Sequence, residues 1–237
     1  MLKLAIGGAM GKMGRRISAL SLKDDSFKII CLLEKENHAD LGKDYSGIKL
    51  SCSVSDIKQA DCLIDFSAVG ATLKNLEKAV EYKKPMVIGT TGFDCSGKDK
   101  IKNAAEKIPV VFSPNMSFGV NLLFKLVKDA SSKLSGYKVN IIEAHHVHKK
   151  DAPSGTAKKI KEIIEEKSLK IENIDSIREG EIIGDHKIIF DGEFDKIELS
   201  HSAKTRDIFA EGALLAAKWV VGKNAGLYSM LDILEGK

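Results

Sequence analysis

The first half of the chain alternates short apolar runs with segments that are apolar on one helical face. Two sets of residues recur at helical spacing: Met13, Ile17 and Leu20, then Leu73, Leu76 and Val80. The apolar runs predict five strands: Leu2–Ile6, Phe27–Leu33, Asp61–Phe66, Met86–Ile88 and Pro109–Phe112. Strands and helices that alternate at this spacing favour a parallel, doubly wound sheet.

The second half follows a different pattern. It predicts a helix over Phe118–Leu134, a strand over Tyr137–Glu143, a helix face at Ala157, Ile160, Ile163 and Ile164, strands over Lys187–Phe190 and Lys196–Ser200 joined by a turn at Asp191–Gly192, and an alanine-rich helix over Asp207–Val221. We expect an α+β domain over residues 117–206, inserted into a first domain made of residues 1–116 and 207–237.

Composition narrows the class of protein. The chain has 237 residues, 43% of them hydrophobic, and a formal net charge of +4, which suits small anionic ligands. No basic stripe and few aromatic residues are present, so we expect no nucleic-acid partner. We also expect no signal peptide and no contact with a membrane. The chain has four cysteines, Cys31, Cys52, Cys62 and Cys95, and none of them forms a Cys-x-x-Cys pair. This pattern predicts buried, reduced thiols and a cytoplasmic location.

A glycine-rich turn follows the first strand. Gly8, Gly11 and Gly14 have the spacing G-x-x-G-x-x-G, so Met10 replaces the middle glycine of the usual dinucleotide motif. Glu34 lies roughly 26 residues after Gly8, where an acidic residue would bind the adenosine ribose. Lys35 could accept a 2′-phosphate, so both NADH and NADPH are plausible cofactors. The alternative is a structural turn beside a solvated Glu-Lys pair.

Two later turns would lie at the same, carboxyl edge of the sheet. They contain Gly89, Thr90 and Thr91 in one loop and Ser113, Pro114, Asn115 and Met116 in the other. Ligands of open α/β sheets bind at that edge, although ordinary loop chemistry explains each turn equally well.

The segment His145–Thr156 concentrates groups that transfer protons or bind anions. His145, His146 and Lys149 precede a Pro-Ser-Gly-Thr turn that predicts a helix N-terminus. Such a segment could deliver a proton to a bound carboxylate or phosphate. Two alternatives are a metal site, for which no ligand set is complete, and a solvated basic loop. Two isolated histidines, His186 and His201, favour structural roles. Arg178 and Arg206 could either bind carboxylates or form solvated ion pairs, and neither is expected to be catalytic.

Taken in order, these motifs resemble the 4-hydroxy-tetrahydrodipicolinate reductase family, formerly dihydrodipicolinate reductase, of bacterial lysine and diaminopimelate biosynthesis. The resemblance covers nearly the whole chain. The motifs that carry it are Gly8–Gly14, Gly89–Phe93, Asn115–Asn121, Glu143–His146, Lys149, Asp151–Ala157 and Phe209–Ala213.

The resemblance implies a Rossmann-like domain with an inserted substrate-binding and oligomerisation domain, and NADH- or NADPH-dependent reduction of a cyclic dicarboxylate with loss of water. It assigns an acid/base role to His145, proton donation to Lys149, and substrate binding to His146, Ser154, Gly155 and Thr156. The implied cofactor residues are Gly8, Ala9, Met10, Gly11, Lys12, Met13, Glu34, Lys35, Gly89, Thr90, Thr91, Ser113, Pro114, Asn115 and Met116. No metal is implied.

The chain departs from the family pattern at several positions. The segment between Gly180 and Gly184 is much shorter than in typical members. The sheet to which that segment belongs forms the subunit contacts of the family's tetramer, so a homo-oligomer is expected but its size stays open. Val147 and Lys150 replace an arginine and an apolar residue, and Asp185 replaces a glutamate.

Two other functions compete with the reductase. A dinucleotide-binding regulatory module would keep the glycine turn but would not need His145 and Lys149 beside an anion site. A related Rossmann enzyme, such as an aspartate- or homoserine-type dehydrogenase, should lack the run from Lys149 to Thr156.

Overall fold

The computed structural model describes residues 1–237, which form two compact units. The first unit comprises Met1–Ser117 and Phe209–Lys237, and the second comprises Phe118–Ile208. No helix is both long enough and apolar enough to cross a membrane.

Twelve strands and seven α-helices make up the two units. The strands are β1 (Leu2–Gly7), β2 (Phe27–Leu33), β3 (Asp44–Tyr45), β4 (Ile48–Ser51), β5 (Cys62–Asp65), β6 (Met86–Ile88), β7 (Pro109–Phe112), β8 (Lys138–His145), β9 (Lys170–Arg178), β10 (Asp185–Asp191), β11 (Lys196–Ser202) and β12 (Gly226–Tyr228). The helices are α1 (Lys12–Ser21), α2 (Val69–Glu81), α3 (Cys95–Ala105), α4 (Phe118–Ser131), α5 (Gly155–Glu165), α6 (Asp207–Val220) and α7 (Met230–Leu234), with a short 3-10 helix at Val54–Gln59.

The first unit is built on an eight-stranded sheet in the order β12-β7-β6-β5-β1-β2-β4-β3. All neighbouring strands are parallel except β3 and β4. Alternate residues of β1 enter different cores: Leu4 and Ile6 belong to the core that includes α1 and α6, and Ala5 to the one that includes α2 and α3. This arrangement confirms the predicted doubly wound, Rossmann-like sheet.

The end of the chain returns to this sheet in a way that its sequence did not predict. Residues Gly226–Tyr228 pair with β7 as an eighth strand, and α7 follows with Ser229 as its N-cap. A strand of only three residues, the first of them a glycine, is too short to show an alternating pattern of apolar and polar residues.

The second unit is an α+β fold, as predicted. Its sheet has the order β11-β10-β8-β9, and α4 and α5 cover one face of it. Strands β10 and β11 are antiparallel and joined by a turn at Gly192. The sequence did not predict β9, which pairs in parallel with β8. A register irregularity beside Val139 places Ile171 and Ile174, three residues apart, against the same core, and this spacing hides the alternation of a strand.

The cysteines bear out the prediction only in part. All four are free thiols, but only Cys31 and Cys62 are buried, whereas Cys52 and Cys95 are exposed. Cys31 and Cys62 lie in central strands, and burial raises the pKa of Cys31 to about 12. Cys52 directly follows β4 and Cys95 is the first residue of α3, and at such ends of elements a nearby apolar run does not ensure burial.

Gly212 allows α6 to pack against the backbone of the first unit. A Cβ atom at this position would lie 1.7 Å from the carbonyl oxygen of Met116, so an Ala side chain would force the helix away.

We predict that Gly212→Ala lowers the free energy of unfolding by at least about 2 kcal/mol, measured by urea denaturation. The matched control is Gly70→Ala, at a helical glycine where a Cβ atom would have no neighbour within 4 Å; it should leave stability unchanged or raise it slightly. Equal effects of the two substitutions would contradict the prediction.

Candidate active site

The glycine turn has the close packing that a dinucleotide site requires. Gly8 adopts a left-handed backbone conformation with φ of 70°. A Cβ atom on Gly14 would lie 2.2 Å from the carbonyl oxygen of Gly8, so the third glycine lets α1 approach the turn. Gly11 is the N-cap of α1, and no side chain caps this helix. The N-terminus of α1 can therefore face a phosphate group.

A cleft of about 760 Å³ opens beside this turn. Gly8 and Gly11 line it together with Glu34 and Lys35. Its other walls come from residues after β2, β4 and β5: Glu36, Asn37, Cys52, Val54, Phe66, Ser67, Ala68, Gly70, Ala71, Lys74 and Asn75, with Leu33 at the end of β2. The volume, the glycines and the acidic residue fit the adenosine half of a dinucleotide.

Glu34 already contacts the glycine turn. The backbone N–H of Met10 donates to Oε1 of Glu34 at 2.9 Å, and the N–H of Lys35 lies 3.3 Å from Oε2. This interaction fixes the carboxylate of Glu34 at the mouth of the turn. Met10 can take the place of a glycine because its backbone does not adopt a positive φ.

The two later loops follow the neighbouring strands β6 and β7. Their backbones meet through the N–H of Ser113, which lies 3.4 Å from the carbonyl oxygen of Ile88. Thr90 is buried, whereas Thr91 and Pro114 are exposed. Met116 is only 2% exposed and packs in the core of the first unit. The two loops thus lie side by side, but Met116 could meet a cofactor only through its backbone.

Asp65, at the end of β5, is a polar residue of this edge that the sequence did not single out. Its carboxylate is fully buried and accepts hydrogen bonds from the hydroxyls of Ser67 and Thr72 and from the amide of Asn75. The hydroxyl of Thr90 lies 2.8 Å from that of Thr72 and 3.3 Å from the carboxylate. Asp65 therefore ties the loop after β5 to the loop after β6. The signal for it was an aspartate ending an apolar run.

In the second unit, β8 carries the first histidine of the segment at its final residue. Glu143 and His145 are two positions apart in the strand, so their side chains point to the same face, and both are buried. His146 follows the strand and faces Arg206, whose Nη2 lies 3.3 Å from Nε2 of His146. His148 and Val147 are exposed. The three histidines thus have different surroundings, and no three His, Cys, Asp or Glu side chains converge to hold a metal ion.

The fully buried carboxylate of Glu143 connects the parts of this site. Nδ1 of His145 donates a hydrogen bond to Oε2 of Glu143, and the N–H of Ser154 donates to Oε1 at 3.2 Å. Arg178 forms a two-pronged ion pair with the same carboxylate, at 2.8 and 3.1 Å. Burial raises the pKa of Glu143, but hydrogen bonds from Arg178 and its neighbours outweigh it and hold the pKa at about 2.

The helix start predicted after Pro153 is present. Helix α5 begins at Gly155, and the hydroxyl of its N-cap, Ser154, accepts a hydrogen bond from the N–H of Ala157. Ser154 Oγ also lies 3.2 Å from Nε2 of His186. Gly155 is exposed, and a Cβ atom at this position would have no neighbour within 4 Å. This accessible helix N-terminus adjoins the histidines and could therefore bind an anion there.

Lys149 belongs to the same neighbourhood. Its Nζ lies 2.8 Å from Oδ1 of Asp151, and its side chain is 23% exposed. The hydrogen bond from Lys149 holds the pKa of Asp151 below its usual range. Burial lowers the pKa of His145 despite the opposing effect of Glu143, and the positive charge of Lys149 adds to that lowering. The site therefore places a cationic amine near an imidazole that is neutral at pH 7.

His186, taken from its sequence as a structural histidine, is buried beside His145. The two rings are 5.3 Å apart, and His186 is 4% exposed. Burial, reinforced by the charge of His145, lowers the pKa of His186 to about 4. Arg178 is likewise structural, because its guanidinium is shared between Glu143 and the carbonyl oxygen of Asp151.

The lowered pKa of His186 predicts acid sensitivity. Below pH 6.5 the unfolded histidine binds a proton that the folded one does not, so stability is full above pH 6.5 and is lost as the pH falls towards 4. Between pH 7.5 and 5 we expect this histidine to account for a loss of about 2 kcal/mol in the free energy of unfolding. Urea denaturation of His186→Asn should show a loss smaller by that amount, whereas the exposed control His148→Asn should behave as the parent. An unchanged loss in His186→Asn would exclude His186 as the source.

Comparison with known proteins covers both halves of the chain. The family model for the N-terminus of dihydrodipicolinate reductase matches residues 2–116, and the model for its C-terminus matches residues 119–234. The chain is 40% identical to 4-hydroxy-tetrahydrodipicolinate reductase of Syntrophus aciditrophicus over 264 residues, covering 99% of this chain and 98% of that protein. It is 39% identical to the protein of the same name from Cupriavidus metallidurans, covering 98% of this chain and 99% of that one.

Solved structures share the fold. Dihydrodipicolinate reductase from Paenisporosarcina sp. TG-14, bound to dipicolinate, superposes with a TM-score of 0.85 at 23% identity and covers 97% of both chains. Aspartate semialdehyde dehydrogenase II from Vibrio cholerae superposes less well, with a TM-score of 0.60 at 14% identity, covering 93% of this chain and 98% of that one. Because both family models match in order and the 40% identity extends over nearly the full chain, the chain belongs to the dihydrodipicolinate reductase family.

Proposed function

We propose that this chain reduces (2S,4S)-4-hydroxy-2,3,4,5-tetrahydrodipicolinate to tetrahydrodipicolinate with NADH or NADPH. It is an oxidoreductase of lysine and diaminopimelate biosynthesis. In the reaction the ring loses its hydroxyl as water and gains a hydride at a ring carbon, and a proton completes the reduction. One observation carries the proposal: a single buried carboxylate, Glu143, joins the proton-transfer residue His145 to the anion-binding N-terminus of α5.

The cofactor residues line the carboxyl edge of the first unit's sheet. When bound, NADH or NADPH supplies the hydride. The turn Gly8–Met13 and the N-terminus of α1 would hold the pyrophosphate, and Glu34 would bind the adenosine ribose. Lys35 is exposed at the mouth of the cleft, where it could meet a 2′-phosphate. The loops Gly89–Thr91 and Ser113–Met116 would hold the remainder of the cofactor.

The substrate carboxylate binds at the N-terminus of α5. Ser154, Gly155 and Thr156 form this cradle, whose backbone N–H groups and helix dipole favour a negative charge. Gly155 leaves space for the ligand to approach. His146 is the neighbouring substrate contact. Arg206 donates to its Nε2, so the neutral ring carries its hydrogen on the buried Nδ1. Dipicolinate, bound to the Paenisporosarcina relative, is itself a dicarboxylate.

Proton transfer is the task of His145 and Lys149. Addition of hydride to a conjugated imine places negative charge on the ring, and Lys149 supplies the proton that neutralises it. Asp151 keeps the amine of Lys149 in place through their 2.8 Å ion pair. His145, neutral at pH 7 because of burial, is suited to accept and return protons as water is lost.

We assign residues 1–116 and 207–237 to dinucleotide binding and residues 117–206 to substrate binding and oligomerisation, in a cytoplasmic homo-oligomer. The sheet of the second unit supports the last role. Helices α4 and α5 cover only one of its faces. Apolar side chains are partly or fully exposed elsewhere on its strands, namely Ile142, Ile177, Ile189 and Ile197.

The alignment to the Syntrophus protein is longer than this chain, so this member is shorter than that relative.

A direct assay tests the reaction. The substrate is made in place by condensing aspartate semialdehyde with pyruvate, and oxidation of NADH or NADPH is followed by its absorbance. We expect turnover with both cofactors because Glu34 suits a ribose hydroxyl and Lys35 a phosphate. A regulatory module would bind the nucleotide without oxidising it. Absence of turnover with either cofactor, in protein that binds NADH, would overturn the reductase assignment.

Replacement of Lys149 tests the proton donor. We predict that Lys149→Ala lowers kcat by about 10² to 10⁴-fold, the usual worth of a positioned acid, and changes the KM for NADH by less than about threefold. The matched control is Lys150→Ala, which removes the same charge from the exposed neighbour and should leave kcat within about threefold. Parallel losses in kcat and in cofactor affinity would argue against proton donation by Lys149.

A further inference from the structure

The carboxylate of Glu143 accepts hydrogen bonds from other groups in addition to its ion pair with Arg178. It accepts from two nitrogens of Arg178, from the backbone N–H of Ser154 and from Nδ1 of His145. These donors come from three separate elements: β9, the residue that caps α5, and β8 itself. No part of the carboxylate is exposed to solvent. All four contacts are therefore made inside the fold, where geometry is fixed.

The contact with His145 decides where that ring carries its proton. A carboxylate can only accept, so the neutral ring is held with its hydrogen on Nδ1 and its lone pair on Nε2. A second proton can then enter and leave only through Nε2. This nitrogen lies beside Gly184, where a Cβ atom would be 3.1 Å away, so the glycine keeps a side chain from crowding Nε2.

We propose that Glu143 is a positioning residue, which holds His145 as the Nδ1–H tautomer and fixes its distance from the carboxylate cradle at Ser154. The proposal rests on the acid/base role assigned to His145. Arg178 supports it by supplying the counter-charge that keeps Glu143 ionised in a buried place. The same carboxylate stabilises the positive charge that His145 acquires when it takes a proton.

Besides Glu143, three titratable or charged side chains surround His145, each from a different element. Arg178 lies on β9, His186 on β10 and Lys149 in the loop after β8. All three oppose a positive charge on His145 or are neutral. Glu143 is the carboxylate that favours such a charge, so its removal must lower the pKa of His145.

The test is Glu143→Gln in the full-length protein. We expect kcat to fall by about 10- to 100-fold, as is typical for loss of a group that orients a functional histidine, with the KM for NADH within about twofold of the parent. The limb of the pH profile of kcat that reports His145 should move to lower pH. Nitrogen-15 NMR of labelled histidines should show the Nδ1–H form of His145 in the parent and its loss in the variant.

Two further variants separate positioning from simple stability. Glu143→Gln leaves Arg178 with carbonyl partners but without a carboxylate to balance its charge, so the double variant Glu143→Gln, Arg178→Met removes both charges and should recover folding but not the pH profile. Glu172→Gln is the matched control, because it removes a carboxylate from β9 that pairs with Lys170 at 2.8 Å; it should change neither the pH profile nor the tautomer.

The outcomes are distinct. A folded Glu143 variant that keeps the parental pH profile and tautomer of His145 would overturn the proposal, and so would full recovery of both in the double variant. If the parent itself shows no turnover, the proposed function fails, but the NMR measurement still reports whether Glu143 holds the tautomer. A shift in the tautomer together with a shift in the pH profile would support the positioning role.

Discussion

The second unit depends on one buried charge. Moving the carboxylate of Glu143 out of water is unfavourable by several kcal/mol, and the paired guanidinium of Arg178 and donors from Ser154 and His145 offset that cost. Because these partners come from different segments, the carboxylate can be satisfied only when β8, β9 and the start of α5 are assembled. The same contacts that make the fold specific therefore place the histidine beside the N-terminus of α5.

The first unit also contains a buried carboxylate, and neutral hydrogen-bond donors stabilise it. Asp65 is as deeply buried as Glu143, yet it accepts hydrogen bonds from hydroxyl, amide and backbone N–H groups: those of Ser67, Thr72, Asn75 and Thr90. Neutral donors satisfy this carboxylate without placing a buried cation beside the loops that we propose for the cofactor. In both units a carboxylate near the end of a strand aligns the loops that carry the chemistry.

Local patterns in the sequence were sufficient for much of this architecture. The glycine turn after β1 and the cap at Ser154 each depend on residues a few positions apart, and both formed as predicted. Glu143 and Asp65 could not be recognised in the same way. Glu143 meets Arg178, which is 35 residues away, and Asp65 meets Thr90 across 25 residues. The sequence did not predict strand β9 for a related reason. Its irregular pairing with β8 interrupts the alternation of buried and exposed residues that identifies a strand.

The short turn between β9 and β10 shows why a trimmed segment is compatible with the site. Three backbone hydrogen bonds join it to the histidine segment: Glu179 N–H to His145, His146 N–H to Ile182 and Val147 N–H to Gly180. Gly180 adopts a left-handed conformation that helps to close the turn. Val147 and Lys150, which are expected from the sequence to differ from the family pattern, are exposed. The short segment therefore keeps backbone contacts to both histidines, and the buried hydrogen bonds of Glu143 do not involve these two side chains.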